Sequence, residues 1–196
     1  MTPRRRGRPG HDQDAVLTAA VRLFNDRGYD ATSMSDVAES LGIGKSALYH
    51  HVSSKEQLLT MAVDRALDGL FEAAASVPED SATARLETLI RRSVLVLAER
   101  LEFVTLLLRV HGNTAAEQHA LARRRQFDRL VTDLVARAQG EGGVRADVDP
   151  ATAARLVFGM VNSLIEWYRP DRGDPAAIAA TISQLAFDGL RRHPDG

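Results

Sequence analysis

The sequence predicts an all-α protein, and three observations carry that prediction. Apolar residues recur at the three-and-four spacing of a helix face through most of the chain. Strand-like alternation is confined to a short stretch near residues 144–148. Glycine, asparagine and proline gather between the periodic segments, at 112/113, 140–150 and 170–174, where helices must stop. The 196 residues are 44% hydrophobic and 26% charged, which excludes a disordered or fibrous chain and gives one large or two small domains. Cysteine is absent, so disulfides, thiolate metal sites and cysteine nucleophiles are excluded, and a reducing, cytoplasmic setting is expected. The longest apolar runs are broken at Arg100, Glu102 and Arg109, short of the roughly 20 residues of a membrane span. No signal-peptide core follows the basic start, so neither membrane insertion nor secretion is expected.

In chain order, residues 1–11 form a basic arm: Arg4, Arg5, Arg6 and Arg8 precede the first acid, Asp12, and Gly7, Pro9 and Gly10 keep the segment irregular. Net charge is only -1, so this local excess is hidden in the average. A first helix starts at Asp12 or Asp14, carries Val16, Ala20, Leu23 and Phe24 on one face, and stops at Gly28. A short helix follows over 34–41, with Ser33 as N-cap and Asp36 three residues on in a capping-box arrangement. Gly42, Ile43 and Gly44 form a tight turn, and a second short helix over 45–51 is anchored by Leu48. From Lys55 a longer pattern through Leu58, Leu59, Ala62, Leu67, Leu70 and Phe71 marks a connector helix reaching Ser76. Further helices are expected over 83–101, 103–110, 115–138, 151–168 and 175–191, with a Gly- and Asp-rich loop from 140. Three regions result: the arm at 1–11, a small domain at 12–56 and a larger one at 57–196.

A four-turn helix followed by two short helices across a glycine turn is the layout of a helix-turn-helix, whose second helix enters the DNA major groove. The segment 31–59, ATSMSDVAESLGIGKSALYHHVSSKEQLL, resembles the TetR family of one-component transcriptional regulators. The resemblance rests on Thr32-Ser33, Val37-Ala38, Leu41-Gly42-Ile43, Leu48-Tyr49 with His50-His51, and Lys55 ahead of Leu58-Leu59. Departures are Gly44 in place of a hydroxyl cap, Ser46 where glycine is frequent, and Val52 where phenylalanine is usual. With Leu48 turned inward, Lys45, Ser46, Ala47, Tyr49 and His50 are left to face DNA. Tyr49 and Lys55 suit phosphate oxygens; Lys45, Ser46, Ala47 and His50 suit base edges, Ala47 through a thymine methyl. Read alone, Tyr49 could equally be a half-buried aromatic. The resemblance further implies phosphate contacts for Ser33 and Ser35. The arginine arm is either a solvated tail or lies along an adjacent groove.

Two decoys fall away. Gly44-Lys45-Ser46 ends like a phosphate-binding P-loop, but position 39, where that loop needs glycine, is Glu39, and a helix rather than a strand precedes it. Adjacent histidines such as His50-His51 point about 100° apart on a helix, with no carboxylate at ligand spacing, so no metal is assigned. No nucleophile elbow or HExxH occurs; no enzyme activity and no cofactor are expected.

In the resembled family the larger domain binds an inducer and forms the dimer. Two-fold pairing also suits a short reading helix that needs a palindromic site. Leu156, Val157, Met160, Ile182, Leu185 and Leu190 offer stripes for an intermolecular four-helix bundle, or else close the monomer's own core. The segment 158–170, FGMVNSLIEWYRP, resembles TetR regulators that respond to acyl-CoA thioesters or related lipophilic acids. Phe103, Leu107, Val110, Phe127 and Phe158 are candidates for an apolar ligand tunnel, with His111, Arg124 and Asn162 as its polar contacts; plain core is the alternative for the apolar set. Arg123, Arg124 and Arg125 read as a solvated face. The resemblance implies a dimeric repressor of a palindromic DNA operator, released by a small lipophilic inducer such as an acyl-CoA. The competing reading is a helical adaptor with an idle DNA reader.

Overall fold

The computed structural model describes residues 12–76 and 81–190; the arginine arm at 1–11 lies outside them. Among the described residues there are helices only: α1 (Gln13–Arg27), α2 (Met34–Ser40), α3 (Lys45–Tyr49), α4 (Lys55–Ala75), α5 (Ala82–Glu99), α6 (Leu101–Leu108), α7 (Ala115–Gly140), α8 (Pro150–Asn162), α9 (Leu164–Trp167) and α10 (Pro175–Leu190). No described helix is long and apolar enough to cross a membrane. The chain divides into two compact units, one up to Ala62 and one from Val63, so the first turns of α4 belong to the first unit and the rest to the second.

In the first unit each helix end has a chemical cause. Asp12 caps α1 by accepting the Ala15 amide at 2.8 Å, and Gly28, at φ 91°, ends it. Buried Thr32 donates its hydroxyl to the Gly28 carbonyl at 2.8 Å, securing the bend between α1 and α2. Ser33 and Asp36 form the expected reciprocal capping box on α2. Val16, Val21, Val37, Leu48 and Leu58, all fully buried, make the core of this unit.

The second unit packs α10 and α7 on α5, and α8 on α7. Helix α4 lacks a side chain at Gly69, where a Cβ would lie 2.6 Å from Arg100 Nη1; that opening lets the Arg100 guanidinium donate to the Arg65 carbonyl at 2.6 Å. Helix α7 starts on a second capping box, Thr114 with Glu117. Arg123, expected on a solvated face, instead donates to Asp64 at 2.5 Å and Asp68 at 2.8 Å, and lies over the Phe71 ring. Its aliphatic stem and planar head suit that half-buried site.

The stretch at 144–148 belongs to the loop expected from 140 and forms no strand despite its alternation: Val144 is buried, and the Gln139 amide donates to the carbonyls of Arg145 at 2.9 Å and Val148 at 2.7 Å, bonds that a neighbouring strand would otherwise supply. One helix expectation in this unit is corrected. The helix expected over 151–168 breaks at Ser163, whose hydroxyl donates back to the Met160 carbonyl at 2.7 Å and competes with the helical ladder. Of the six stripe residues, Val157, Ile182 and Leu190 are buried in this unit's own core, whereas Leu156 (65%) and Leu185 (62%) are largely exposed. Met160 is half-buried, and Trp167 on α9 is 54% exposed.

Candidate functional site

The first site is built on α2, the turn and α3. Gly42 adopts φ 64°, a left-handed conformation natural to glycine, and its amide donates to the Glu39 carbonyl at 2.9 Å. The Ile43 amide then reaches the Ala38 carbonyl at 3.0 Å, which fixes how α3 leaves α2. Leu48 is fully buried, and Val52 below it is buried too. Because one five-residue helix can bury only one face, Lys45, Ser46, Ala47, Tyr49 and His50 are all exposed, with Tyr49 at 51%. The expected helix over 45–51 closes earlier, at Tyr49; His50 and His51 sit in the turn that follows. Gly44 caps α3 without a side-chain bond, so the first amides of α3 have no side-chain acceptor there.

Ser33 and Lys55 occupy more constrained places than their sequence positions suggest. The Ser33 hydroxyl donates to the Asp36 carboxylate at 2.6 Å and accepts the Asp36 amide at 3.2 Å, so it is engaged in the cap. Hydrogen bonds from the Ser33 hydroxyl and amide, with Arg27 nearby, lower the Asp36 pKa and keep the carboxylate ionised. Ser35 is half-buried. The Lys55 ammonium donates to the Tyr29 carbonyl at 2.9 Å and the Asp30 carbonyl at 3.4 Å, and sits 4.3 Å from the Tyr29 ring centroid. It thereby fastens the α1–α2 bend to the start of α4, a role that sequence reading missed because the partners lie 26 residues apart. Gln13, donating to the His51 carbonyl at 3.0 Å, is a second such tie.

A second candidate site is a cavity of about 330 Å³ between α7 and α8. It gathers three of the predicted ligand residues, Arg124, Phe158 and Asn162. Phe127 is buried behind it, its ring edge-on to Phe158 at 5.4 Å between centroids. Leu107 is buried and connected only through its carbonyl, 3.4 Å from Arg124 Nη1. Phe103, Val110 and His111 do not line it; His111 is exposed, and its amide donates to Glu117. The cavity also uses Asp128, Thr132 and Arg155, which sequence reading missed. Their spacing could have found them, since 124/128/132 and 151/155/158/162 each follow one helix face. With polar groups of both signs and an apolar wall, it has the makeup of a small-molecule site.

The family described as bacterial regulatory proteins, tetR family, matches residues 16–61, and the tetracyclin repressor-like C-terminal domain matches residues 79–190. The chain is 28% identical over 179 residues to the HTH-type transcriptional repressor KstR2 of Mycolicibacterium smegmatis, covering 87% of this chain and 85% of the relative. It shares 49% identity and a TM-score of 0.82 with the crystal structure of a TetR transcriptional regulator family member from Streptomyces coelicolor A3, over 90% of this chain and 91% of that one. AibR, solved in complex with isovaleryl coenzyme A and operator DNA, matches at 27% identity and a TM-score of 0.76, over 89% of this chain and 97% of its own. The two family matches fall on the reading unit and on the larger helical unit, and on that ground the chain belongs to the TetR family of DNA-binding transcriptional regulators, which are not enzymes.

Proposed function

We propose that this regulator is a repressor that binds a palindromic operator as a homodimer and is released by a small lipophilic ligand, with acyl-CoA thioesters the first class to test. The observation that carries the reading half is the exposed set Lys45, Ser46, Ala47, Tyr49 and His50 on a short helix held by buried Leu48. Lys45, Ser46, Ala47 and His50 are assigned to base edges, and Tyr49 to a phosphate oxygen. Ser35 and Ser33 are assigned to the phosphate flank, Ser33 through its place at the start of α2. Lys55 is assigned a positioning role beside any phosphate contact, because its ammonium already holds the Tyr29 carbonyl.

Exposed Leu156, Trp167 and Leu185 support pairing through α8, α9 and α10. Such pairing sets two reading helices against half-sites about 34–36 Å apart. The ligand reading is supported by the α7–α8 cavity with Arg124, Phe158 and Asn162, and by the likeness to a regulator solved with an acyl-coenzyme A. A ligand there favours a dimer state whose heads no longer match the half-sites, with α4 carrying the change. Footprinting tests the assignments. Tyr49→Phe weakens binding about tenfold on every sequence, as loss of a hydrogen bond to a charged oxygen requires. Lys45→Ala costs about 1–3 kcal/mol on the preferred operator and relaxes preference at one position per half-site. Equal affinities for both variants and the parent would remove these roles.

A further inference from the structure

Arg4, Arg5, Arg6 and Arg8 precede the first acid, Asp12, in a chain whose net charge is -1. The structure fixes where this basic segment joins the reading unit. Asp12, the first described residue, caps α1 by accepting the Ala15 amide, and Gln13, exposed in the first turn, donates to the His51 carbonyl at 3.0 Å. His51 follows Tyr49, the last residue of α3, by two positions, and His50 between them is exposed. The point of attachment of the arm is therefore beside the end of the helix assigned to the major groove.

An extended chain spans at most about 3.6 Å per residue, so Arg8 can reach about 18 Å from Gln13 and Arg4 about 32 Å. The minor groove next to a helix seated in the major groove lies about half a helical turn away, roughly 17 Å along the axis, which is within that reach. It is about 6 Å wide, and narrower still in A·T-rich sequence, where its negative potential is strongest. The composition of the arm suits such a groove. Gly7 and Gly10 add no side-chain bulk, Pro9 disfavours a helix at the residue before it, and guanidinium groups give up water more readily than ammonium groups. We propose that residues 4–8 enter the minor groove beside the bases met by α3 and select A·T over G·C pairs there, a second DNA contact with its own base preference. Guanine's 2-amino group, which projects into the minor groove, is what disfavours G·C pairs. The place of this contact on an operator rests on α3 being the reading helix; the A·T preference does not.

The test is anisotropy titration of the full chain, at low salt, on two duplexes of about 30 base pairs, roughly three helical turns. One is rich in G·C pairs; the other has the same sequence with inosine in place of guanine, which leaves the major-groove edge unchanged and removes only the minor-groove amino group. The parent binds the inosine duplex at least about fivefold more tightly. With Arg4→Gln, Arg5→Gln, Arg6→Gln and Arg8→Gln together, the two affinities become equal and the salt slope falls by about two to four. With the same four positions changed to lysine, the slope is kept and most of the preference is lost, which a merely electrostatic tail would not show. Equal binding of the two duplexes by the parent overturns the proposal, as does a preference that survives the glutamine variant. An undiminished preference in the lysine variant removes the guanidinium groups as its source and overturns it too. Lys45→Ala with Tyr49→Phe loses operator selection and keeps the inosine preference, so a failed reading helix and a failed arm give different results. Loss of the preference in that double variant assigns the minor-groove contact to α3 and overturns the role of the arm.

Discussion

Replacing Lys55 by methionine separates its two possible duties. Methionine keeps most of the aliphatic stem and removes the ammonium, so what is lost is the bond to Tyr29 at 2.9 Å, the longer one to Asp30 at 3.4 Å and the placement 4.3 Å from the Tyr29 ring centroid. A hydrogen bond from a charged donor contributes about 1.5–3 kcal/mol, and a cation over an aromatic face at a partly exposed site about 0.5–1 kcal/mol. The Tyr29 and Asp30 carbonyls lie where water can replace part of this, so the net loss is about 2 kcal/mol. Native-state hydrogen exchange reads this unit by itself. Amides of α1 to α3 exchange about thirtyfold faster in Lys55→Met at fixed protein concentration, while those of α7 and α10 are unchanged. Operator affinity falls with little change in its salt dependence, because the damage is to the shape of the reader. Unchanged exchange across α1 to α3, with a salt slope reduced by about one, would show instead that Lys55 is a phosphate ligand and that the clamp contributes nothing.

The Glu117 carboxylate gives a pH prediction. Burial pushes its pKa upward, but the amides of His111, Thr114 and Asn113 and the Thr114 hydroxyl outweigh that, and the folded value falls below the ordinary 4.5. Its contribution is therefore fully present above about pH 4.5 and is lost as pH falls through the lowered folded value. Denaturant titrations of the parent and Glu117→Gln differ by about 1 kcal/mol from pH 8 to pH 5 and converge at lower pH; a gap that widens on acidification would contradict this. If the proposed pairing through α8 and α10 holds, Leu156→Glu with Leu185→Glu gives a folded monomer at micromolar concentration in sedimentation, where the parent is dimeric, and weakens operator binding, since both side chains are exposed within one chain. A variant that stays dimeric would remove α8 and α10 from the interface.

The parts of this fold that were legible in the sequence are those set by neighbouring residues. Ser33 with Asp36, the stops at Gly28 and Gly42, and the inward Leu48 all act within a few positions, so helix ends and the exposed face of α3 could be read directly. What escaped was set by distant partners. Nothing near Lys55 announces Tyr29, 26 residues away, and nothing near Gln13 announces the His51 carbonyl, 38 residues away. The proposed ligand region was legible as apolar composition, whereas the cavity's geometry was not. Phe103 and Val110 are as apolar as Phe158, yet only Phe158 faces the α7–α8 cavity, because helix packing chooses which face of each stripe meets the void.

The most direct test of the account is selection of source-genome DNA fragments on the purified protein at moderate salt, with sequencing of the retained pool. The account predicts enrichment of one inverted repeat, with half-site centres about one helical turn apart, and loss of that enrichment in Lys45→Ala with Tyr49→Phe. Retention without sequence preference, or an inverted repeat selected equally well by the double variant, would contradict the assignment of α3 as the reading helix.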